Sequence, residues 1–520
     1  MKTKEKEVDI IIIGAGASGA AAAWNLSKTN YKIVCLEQGP LVNKNNYCSF
    51  QYKWEKLKKK KFNINPNIRK LKQDYPIDDK NSPISIANFN AVGGSTILYS
   101  GHFPRFHVSD FKTKTLDDVG KDWPITYSDL EKYYDLNDKM MGVAGLTGDP
   151  VYPKILNLKQ PVPLGYAGEK IAKGFNKLGW HWWPSYSAVT KKINGKYQKM
   201  SVDKNYWPKA IKNGVNLKTN CKVKKIVSKA SGQVSGVIYL DAKNKEKFLG
   251  AKLVILACSG IGTPRLLLNS ANDYYPKGLA NSSGLVGKNL MLHPLGYVEG
   301  TFKNFLASNY GPEGCCLASH EFYETKKLNE FKRGYTIHVL RGTGPLETAM
   351  NSLKLKRLKF GKSFHKDFLK IYGCTIPLAI ICEDLPEKTN FIELDNSKKD
   401  SGGIPGVKIN YSLNKNTKKM LAHGIEKGKK IMKTIGAHSI LSFAPVRHTG
   451  WHTMGTACMG VSAKDSVVNS FGQTHDIKNL VVVDSSIFTT SGGVNPMSTI
   501  QALSLKITDD IKSSPNRFFL

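Results

Sequence analysis

An α/β fold containing a Rossmann-like nucleotide-binding domain is predicted by three observations. Residues 8–39 read as strand, glycine turn, helix and second strand ending in an acid. Residues 253–258 form another short apolar run that leads into a turn and a helix, and residues 480–484 form a third. Short buried strands alternating with helices are the pattern of a parallel sheet covered on both faces.

In the first unit, Val8–Ile13 is read as a buried parallel strand, Gly14-Ala15-Gly16-Ala17-Ser18-Gly19 as the turn, and Ala20–Leu26 as a helix. Gly14 permits the turn, Gly16 lets backbone N–H groups approach a pyrophosphate at the positive helix end, and Gly19 lets helix and strand pack closely. The strand Lys32–Leu36 delivers Glu37, whose carboxylate suits a ribose diol and repels a 2′-phosphate, which disfavours NADP. A glycine turn alone occurs in many unrelated proteins, but strand, spacing, helix and acid together point to a dinucleotide.

Further along come a lysine-rich segment, 45–80, and the sequence Ala91-Val92-Gly93-Gly94-Ser95-Thr96, whose paired glycines suit backbone packed against something flat. The strand Leu253–Cys258 precedes Ser259-Gly260-Ile261-Gly262-Thr263-Pro264 and a helix over 265–269, and is expected to join the first sheet. The last 80 residues hold Trp451–Gly460, the strand Leu480–Asp484, the segment Gly493–Thr499 and a helix from Ile500 to Ile511.

With 520 residues, two or more structural domains are expected. No apolar run reaches 18 residues, and the first strand starts about seven residues from Met1, so the reading is a cytoplasmic protein, periplasmic only if exported with a partner. The net charge of +35 does not point to nucleic acid, because only 8 of the 76 basic residues are Arg, the usual bidentate reader. Two lysine clusters stand out: Lys56 with Lys58–Lys61, and Lys354, Lys356, Arg357, Lys359, Lys362, Lys366 and Lys370. The second is read as an amphipathic surface helix open to peripheral membrane or acidic-partner contact, against the ordinary reading of a solvated face. Nine scattered cysteines (Cys35, Cys48, Cys221, Cys258, Cys315, Cys316, Cys374, Cys382, Cys458) show no CxxC, zinc or haem spacing; free thiols and no metal are expected.

GAGASG with Glu37, AVGGST, ILACSGIGTPRLLLNS, VGKNLMLHP at 286–294, HTMGTACMG and VVVDSSIFTTSGGVNPMSTIQALSLKI together resemble, in order, the glucose-methanol-choline (GMC) family of FAD-dependent oxidoreductases. WPITYSDLEKYYD at 123–135 and EDLPEKTNFIELD at 383–395 look like its sugar- and polyol-oxidising bacterial branch. The resemblance implies a Rossmann-like FAD domain of the glucose oxidase type from 1–109, 206–299 and 441–520. Interleaved with it would be an α+β substrate domain on an antiparallel sheet, from 110–205 and 300–440. It implies FAD held by Gly14, Gly16, Ala17, Ser18, Gly19 and Glu37 at the ADP half and by the Val223 backbone at the adenine. Gly94 and Ser95 would lie along the flavin, Asp484 near the pyrophosphate and ribityl chain, and Asn495, Pro496 and Met497 at the pyrimidine end. Leu98 stands where some members carry a histidine bonded to FAD, so a non-covalent cofactor is expected, with His102 the nearest alternative.

Alcohol oxidation needs a base for the hydroxyl proton, and histidine titrates in the right range. By family position His452 is that base and Asn495 its partner, hydrogen-bonding the substrate oxygen; His293 is read as structural, and His448 and His475 lack context. Trp180, Trp182 and Trp183 are weighed as sugar-stacking residues against ordinary packing. The short stretch 188–207 lacks the cysteine-rich insert of gluconate-type relatives, which speaks against gluconate specificity. The expected activity is oxidation of a secondary hydroxyl of a sugar, glycoside or polyol to a ketone. The acceptor would be non-nicotinamide: a quinone, a cytochrome or a small subunit. The alternatives are an oxidase acting with O2 on simple or aromatic alcohols, a flavin-fold lyase, and a non-enzymatic electron-transfer subunit.

Overall fold

The computed structural model describes residues 5–43, 47, 54–191 and 197–519; Cys48 and parts of the 45–80 and 188–207 stretches lie outside them. Four consecutive isoleucines, Ile10–Ile13, are buried to 5% exposure or less and form the centre of a seven-stranded sheet. β-Branched side chains suit such a strand, covered on both faces. The strand Glu5–Ile13 pairs in parallel with Ile33–Leu36 on one side and Glu246–Leu256 on the other. The upper half of Glu246–Leu256 also pairs in parallel with Leu480–Val482, so the second and third apolar runs do join the first sheet. Asn216–Lys218 adds to one edge, and Val234–Leu240 with Lys222–Ser228 continue antiparallel at the other.

A six-stranded antiparallel sheet runs in the order Ser439–Phe443, Leu295–Thr301, Thr375–Cys382, Tyr335–Arg341, Gly314–Ser319, Trp183–Pro184. The helix Lys415–Thr434 lays Met420, Leu421, Ile431 and Met432 on it, forming a second core with Ile376, Leu378 and Ile380. A smaller sheet joins Phe391–Lys399 and Pro405–Asn410 to Ile77–Asn81.

Two elements differ from the sequence reading in instructive ways. The helix expected over 265–269 begins at Ser259 and carries Pro264 inside it. Proline lacks the N–H that Gly260 would receive, and the freed Gly260 carbonyl accepts the Thr456 hydroxyl at 2.7 Å instead. The basic stretch 354–370 is not one helix. It lies across the end of Pro345–Lys354 and the whole of Phe364–Leu369, interrupted by left-handed backbone at Lys356 (φ 56°) and Gly361 (φ 142°). The eight described cysteines are free.

Candidate active site

A cavity of about 540 Å³ runs from the glycine turn at the end of the first strand to the histidines beside the antiparallel sheet. Its nucleotide end follows from the local backbone. Gly14 sits at φ 100°, and a Cβ there would lie 2.5 Å from the Ala257 carbonyl oxygen; a Cβ on Gly19 would lie 1.9 Å from that of Gly14. Those two glycines close the turn against strand and helix. Gly16, the residue capping the helix Ala17–Leu26, is different: a Cβ there meets nothing within 4 Å and would project into open space at the helix N-terminus. That is a cradle shaped for an anionic group, as a pyrophosphate requires.

Glu37 is buried beside it and accepts from the Ala15 and Gly39 N–H groups at 2.8 and 2.7 Å. Burial pushes its carboxyl above the usual range, while these two N–H groups pull it back. Val223 lines the same end. Asp484 accepts from the Ser259 N–H at 3.0 Å, the Thr263 hydroxyl at 2.5 Å and the Ser486 N–H at 2.9 Å, which fixes the strand end over the helix Ser259–Asn269. Gly94 lies against the turn, its ideal Cβ 3.0 Å from Gly16 Cα, and the Gly93 N–H donates to Ala15. Ser95 accepts from the Phe89 N–H at 3.2 Å. Asn495, Pro496 and Met497 bring a second helix N-terminus, Met497–Ser513, to the cavity. Of the anticipated residues, Gly14, Gly16, Ala17, Ser18, Glu37, Gly94, Ser95, Val223, Asp484, Asn495, Pro496, Met497 and His452 all line this one cavity; Gly19 alone supports it from behind. These residues fit FAD: an open phosphate cradle, a carboxylate at the ribose end, and a second helix N-terminus at the opposite end.

At the chemical end, His452 and Asn495 face each other with Nε2 and Nδ2 3.4 Å apart. The amide donates, so His452 Nε2 is the acceptor. His293 completes the arrangement. Its Nε2 lies 2.9 Å from the Gly492 carbonyl oxygen and 3.2 Å from that of Ser491. Carbonyls only accept, so His293 carries its proton on Nε2. Its bare Nδ1, 2.8 Å from His452 Nδ1, then accepts the proton of that nitrogen. The chain of acceptors leaves the lone pair of His452 Nε2 facing Asn495 and the cavity. Burial, then the neighbouring His293 and His338, holds the His452 imidazole well below its ordinary pKa, and burial, partly offset by the Gly492 and Ser491 carbonyls, takes His293 down to about 4. A neutral base is the result. Asn495 Oδ1 is buried without a partner.

His293 therefore does more than fill space: its ring meets that of His452. The reading missed this because VGKNLMLHP shows a histidine without showing what it faces. His338 was missed as a cavity wall for the same reason, whereas His102, the nearest alternative for FAD attachment, does line the cavity. With Cys315 they form the one described group of three whose ligand atoms lie within 4.8 Å of one another. Both His102 ring nitrogens are engaged, however: Nε2 accepts the Cys315 N–H at 2.9 Å, leaving Nδ1–H for Ser185 Oγ at 3.2 Å. His102 therefore has no ring lone pair left to offer a metal. Neither Trp180, Trp182 nor Trp183 lines the main cavity. Trp180 packs edge-on against Phe322 at 4.9 Å, and the indoles of Trp182 and Trp183 donate to Asn176 and Leu146.

Comparison with known proteins gives the family. Residues 8–295 and 386–504 match the two models of a family described as GMC oxidoreductase. The 2-methyl-1,2-propanediol dehydrogenase of Mycolicibacterium austroafricanum is 37% identical, covering 98% of this chain and 96% of that protein. The fructose dehydrogenase large subunit of Gluconobacter japonicus is 26% identical, covering 98% and 99%. Among solved structures, an Aspergillus oryzae formate oxidase studied for its FAD modification superposes with a TM-score of 0.68, at 14% identity, over the whole of both chains.

Proposed function

Because the chain belongs to the GMC oxidoreductase family, whose members are FAD-binding enzymes acting on alcohols and sugars, we propose that it oxidises a carbinol of a small polyol or sugar with His452 as the base. The observation that carries this reading is the unprotonated His452 Nε2, whose lone pair faces the cavity and Asn495 Nδ2 at 3.4 Å. A substrate hydroxyl between them donates its proton to His452 while its oxygen accepts from the Asn495 amide. This holds the carbinol hydrogen in place and balances the developing alkoxide charge. FAD, when bound, supplies the acceptor for the hydride, so alcohol becomes carbonyl by loss of one proton and one hydride. The protonated His452 keeps its Nδ1–H bond to His293, which spreads the new charge.

The sequence reading of a secondary hydroxyl on a sugar, glycoside or polyol stands as one substrate class, with the fructose dehydrogenase likeness behind it. A small vicinal diol is the second. It is favoured by the 37% identity to an enzyme named for 2-methyl-1,2-propanediol, whose oxidisable carbinol is primary. FAD is held non-covalently in this reading, since Leu98 lines the cavity and both ring nitrogens of His102 are engaged. The electrons pass to a non-nicotinamide acceptor. Residues 110–205 with 300–440 provide the substrate side, and 1–109, 206–299 and 441–520 the cofactor side.

The test is anaerobic titration of the FAD-loaded protein with small diols, sugars and simple alcohols while its visible flavin band is followed. Bleaching by polyols supports the reading and its pattern separates the two substrate classes. Persistent colour despite product formation would move the assignment to a lyase, and fast recolouring in air to an oxidase. Acid precipitation that leaves the flavin on the protein pellet would sink the non-covalent assignment.

A further inference from the structure

The adjacent antiparallel strands Tyr335–Arg341 and Thr375–Cys382 could be joined by a hairpin loop of about two to five residues. Instead the chain detours through residues 342–374. Seven basic residues lie there, Lys354, Lys356, Arg357, Lys359, Lys362, Lys366 and Lys370, against the acids Glu347 and Asp367. Its two helices are rich in apolar side chains and yet bury almost none: Pro345–Lys354 buries Ser352 alone, and Phe364–Leu369 buries nothing. Phe360 is 86% exposed and Leu369 65%, with Met350 and Leu355 also exposed. Phe360, Phe364, Phe368 and Tyr372 form a ladder of stacked rings with successive centroids 5.5, 6.3 and 5.2 Å apart.

The base of this detour is nevertheless tied down. Leu358 and Ile371 are buried, Arg357 pairs with Glu299 and donates to Thr301 at 2.8 Å, and Glu55 accepts the Leu346 and Glu347 N–H groups. Thr343 and Glu347, at its start, line the cavity that holds His452. An exposed apolar surface with lysines interspersed along it is therefore held beside the cavity.

We propose that the 342–374 detour docks the protein onto an anionic lipid bilayer, setting the cavity mouth against the membrane surface. Lysines around protruding phenylalanine and leucine are the composition of an interfacial anchor: the ammonium groups meet anionic headgroups, and the apolar tips enter the acyl boundary. A second copy of a chain with net charge +35 is a poor occupant of the same patch, because like charges would face each other. Substrates or electron acceptors that partition into lipid would then reach the cavity without crossing open water. Docking is independent of the catalytic assignment, since it requires neither substrate nor His452.

The test is co-sedimentation of the full-length, FAD-loaded protein with phosphatidylcholine vesicles, with and without phosphatidylserine. Binding is expected to the anionic vesicles alone and to weaken as salt rises. Two double variants, Phe360→Glu with Leu369→Glu and Lys359→Glu with Lys362→Glu, should each bind at least about tenfold more weakly. Their flavin content, melting temperature and turnover with a soluble dye acceptor should not change. Failure to bind anionic vesicles, or undiminished binding by both variants, overturns the proposal. So does loss of a concentration-dependent dimer, or of a complex with an acidic protein, as the sole consequence of the substitutions.

Discussion

The imidazoles of His293 and His452 meet Nδ1 to Nδ1 at 2.8 Å, and the carbonyls behind His293 decide which of the two holds the shared proton. A backbone feature thereby sets the tautomer of His452, the proposed base. In His293→Ala, His452 can place its proton on either nitrogen and loses its orientation. Turnover should fall by about 10- to 100-fold, the usual cost of losing a partner that orients a functional histidine, with FAD content unchanged. Because this is a positioning role, the pH profile should move as well, the acid limb rising toward ordinary histidine. A variant with an unaltered pH profile would show that His293 merely fills space.

Replacing His452 by alanine removes the proposed base itself. A drop of about 10²- to 10⁴-fold in kcat is expected, with the flavin still bound, because proton transfer contributes on that order and His452 lies at the cavity end opposite the phosphate cradle. Stopped-flow bleaching by substrate isolates the step. Wild-type bleaching rates in this variant would remove His452 from the mechanism.

Acid should act twice, on rate and on stability. His452 works as the neutral form, and its pKa lies well below the ordinary 6.5, so kcat/KM should be flat through neutrality and decline only at distinctly lower pH. For stability the direction is the same. His293 and His102 have folded pKa values near 4 and 3, so below about pH 6.5 the unfolded chain takes up protons that the folded chain refuses. Stability is full above 6.5 and is lost as the pH falls toward the folded values. His293 alone removes about 3 kcal/mol by pH 4. Because buried acids such as Asp138 and Asp384 titrate in the opposite sense over this range, the test is the difference in urea midpoint between wild type and His293→Ala from pH 7 to pH 4, and a difference that does not change with pH would contradict it.

Much of the cofactor side was legible in the sequence because its requirements are local. Gly14, Gly16 and Gly19 act within six residues, and the isoleucines at 10–13 declare a doubly covered strand. The partnership of His452 and Asn495 was legible only through a family resemblance, since 43 residues separate them. What stayed hidden depends on long-range register. His293 meets His452 across 159 residues, and His338 joins the cavity wall because its strand is held between Gly314–Ser319 and Thr375–Cys382. Trp180, Trp182 and Trp183, read mainly as packing, stand outside the main cavity, yet the sequence does little to separate the two readings, because an aromatic cluster reads alike whether it faces a ligand or neighbouring protein.

Gly16 and Gly19 stand three residues apart and should fail differently. Gly16 has φ −75°, which any residue can adopt, and its missing side chain faces open cavity. Gly16→Leu should therefore fold, with a melting temperature close to that of the wild-type apoprotein, and yet emerge without FAD because the leucine occupies the phosphate cradle. Gly19 faces protein. A Cβ there falls 1.9 Å from the Gly14 carbonyl oxygen, closer than any contact allows, so even Gly19→Ala must push the helix Ala17–Leu26 off the strand. A cost of about 1–3 kcal/mol is expected for such overpacking, along with weakened FAD binding. Comparing flavin absorbance with apoprotein melting in the two variants separates the roles. A stable, flavin-free Gly19→Ala, or a Gly16→Leu that keeps its flavin, would reverse the assignment of cradle and packing contact.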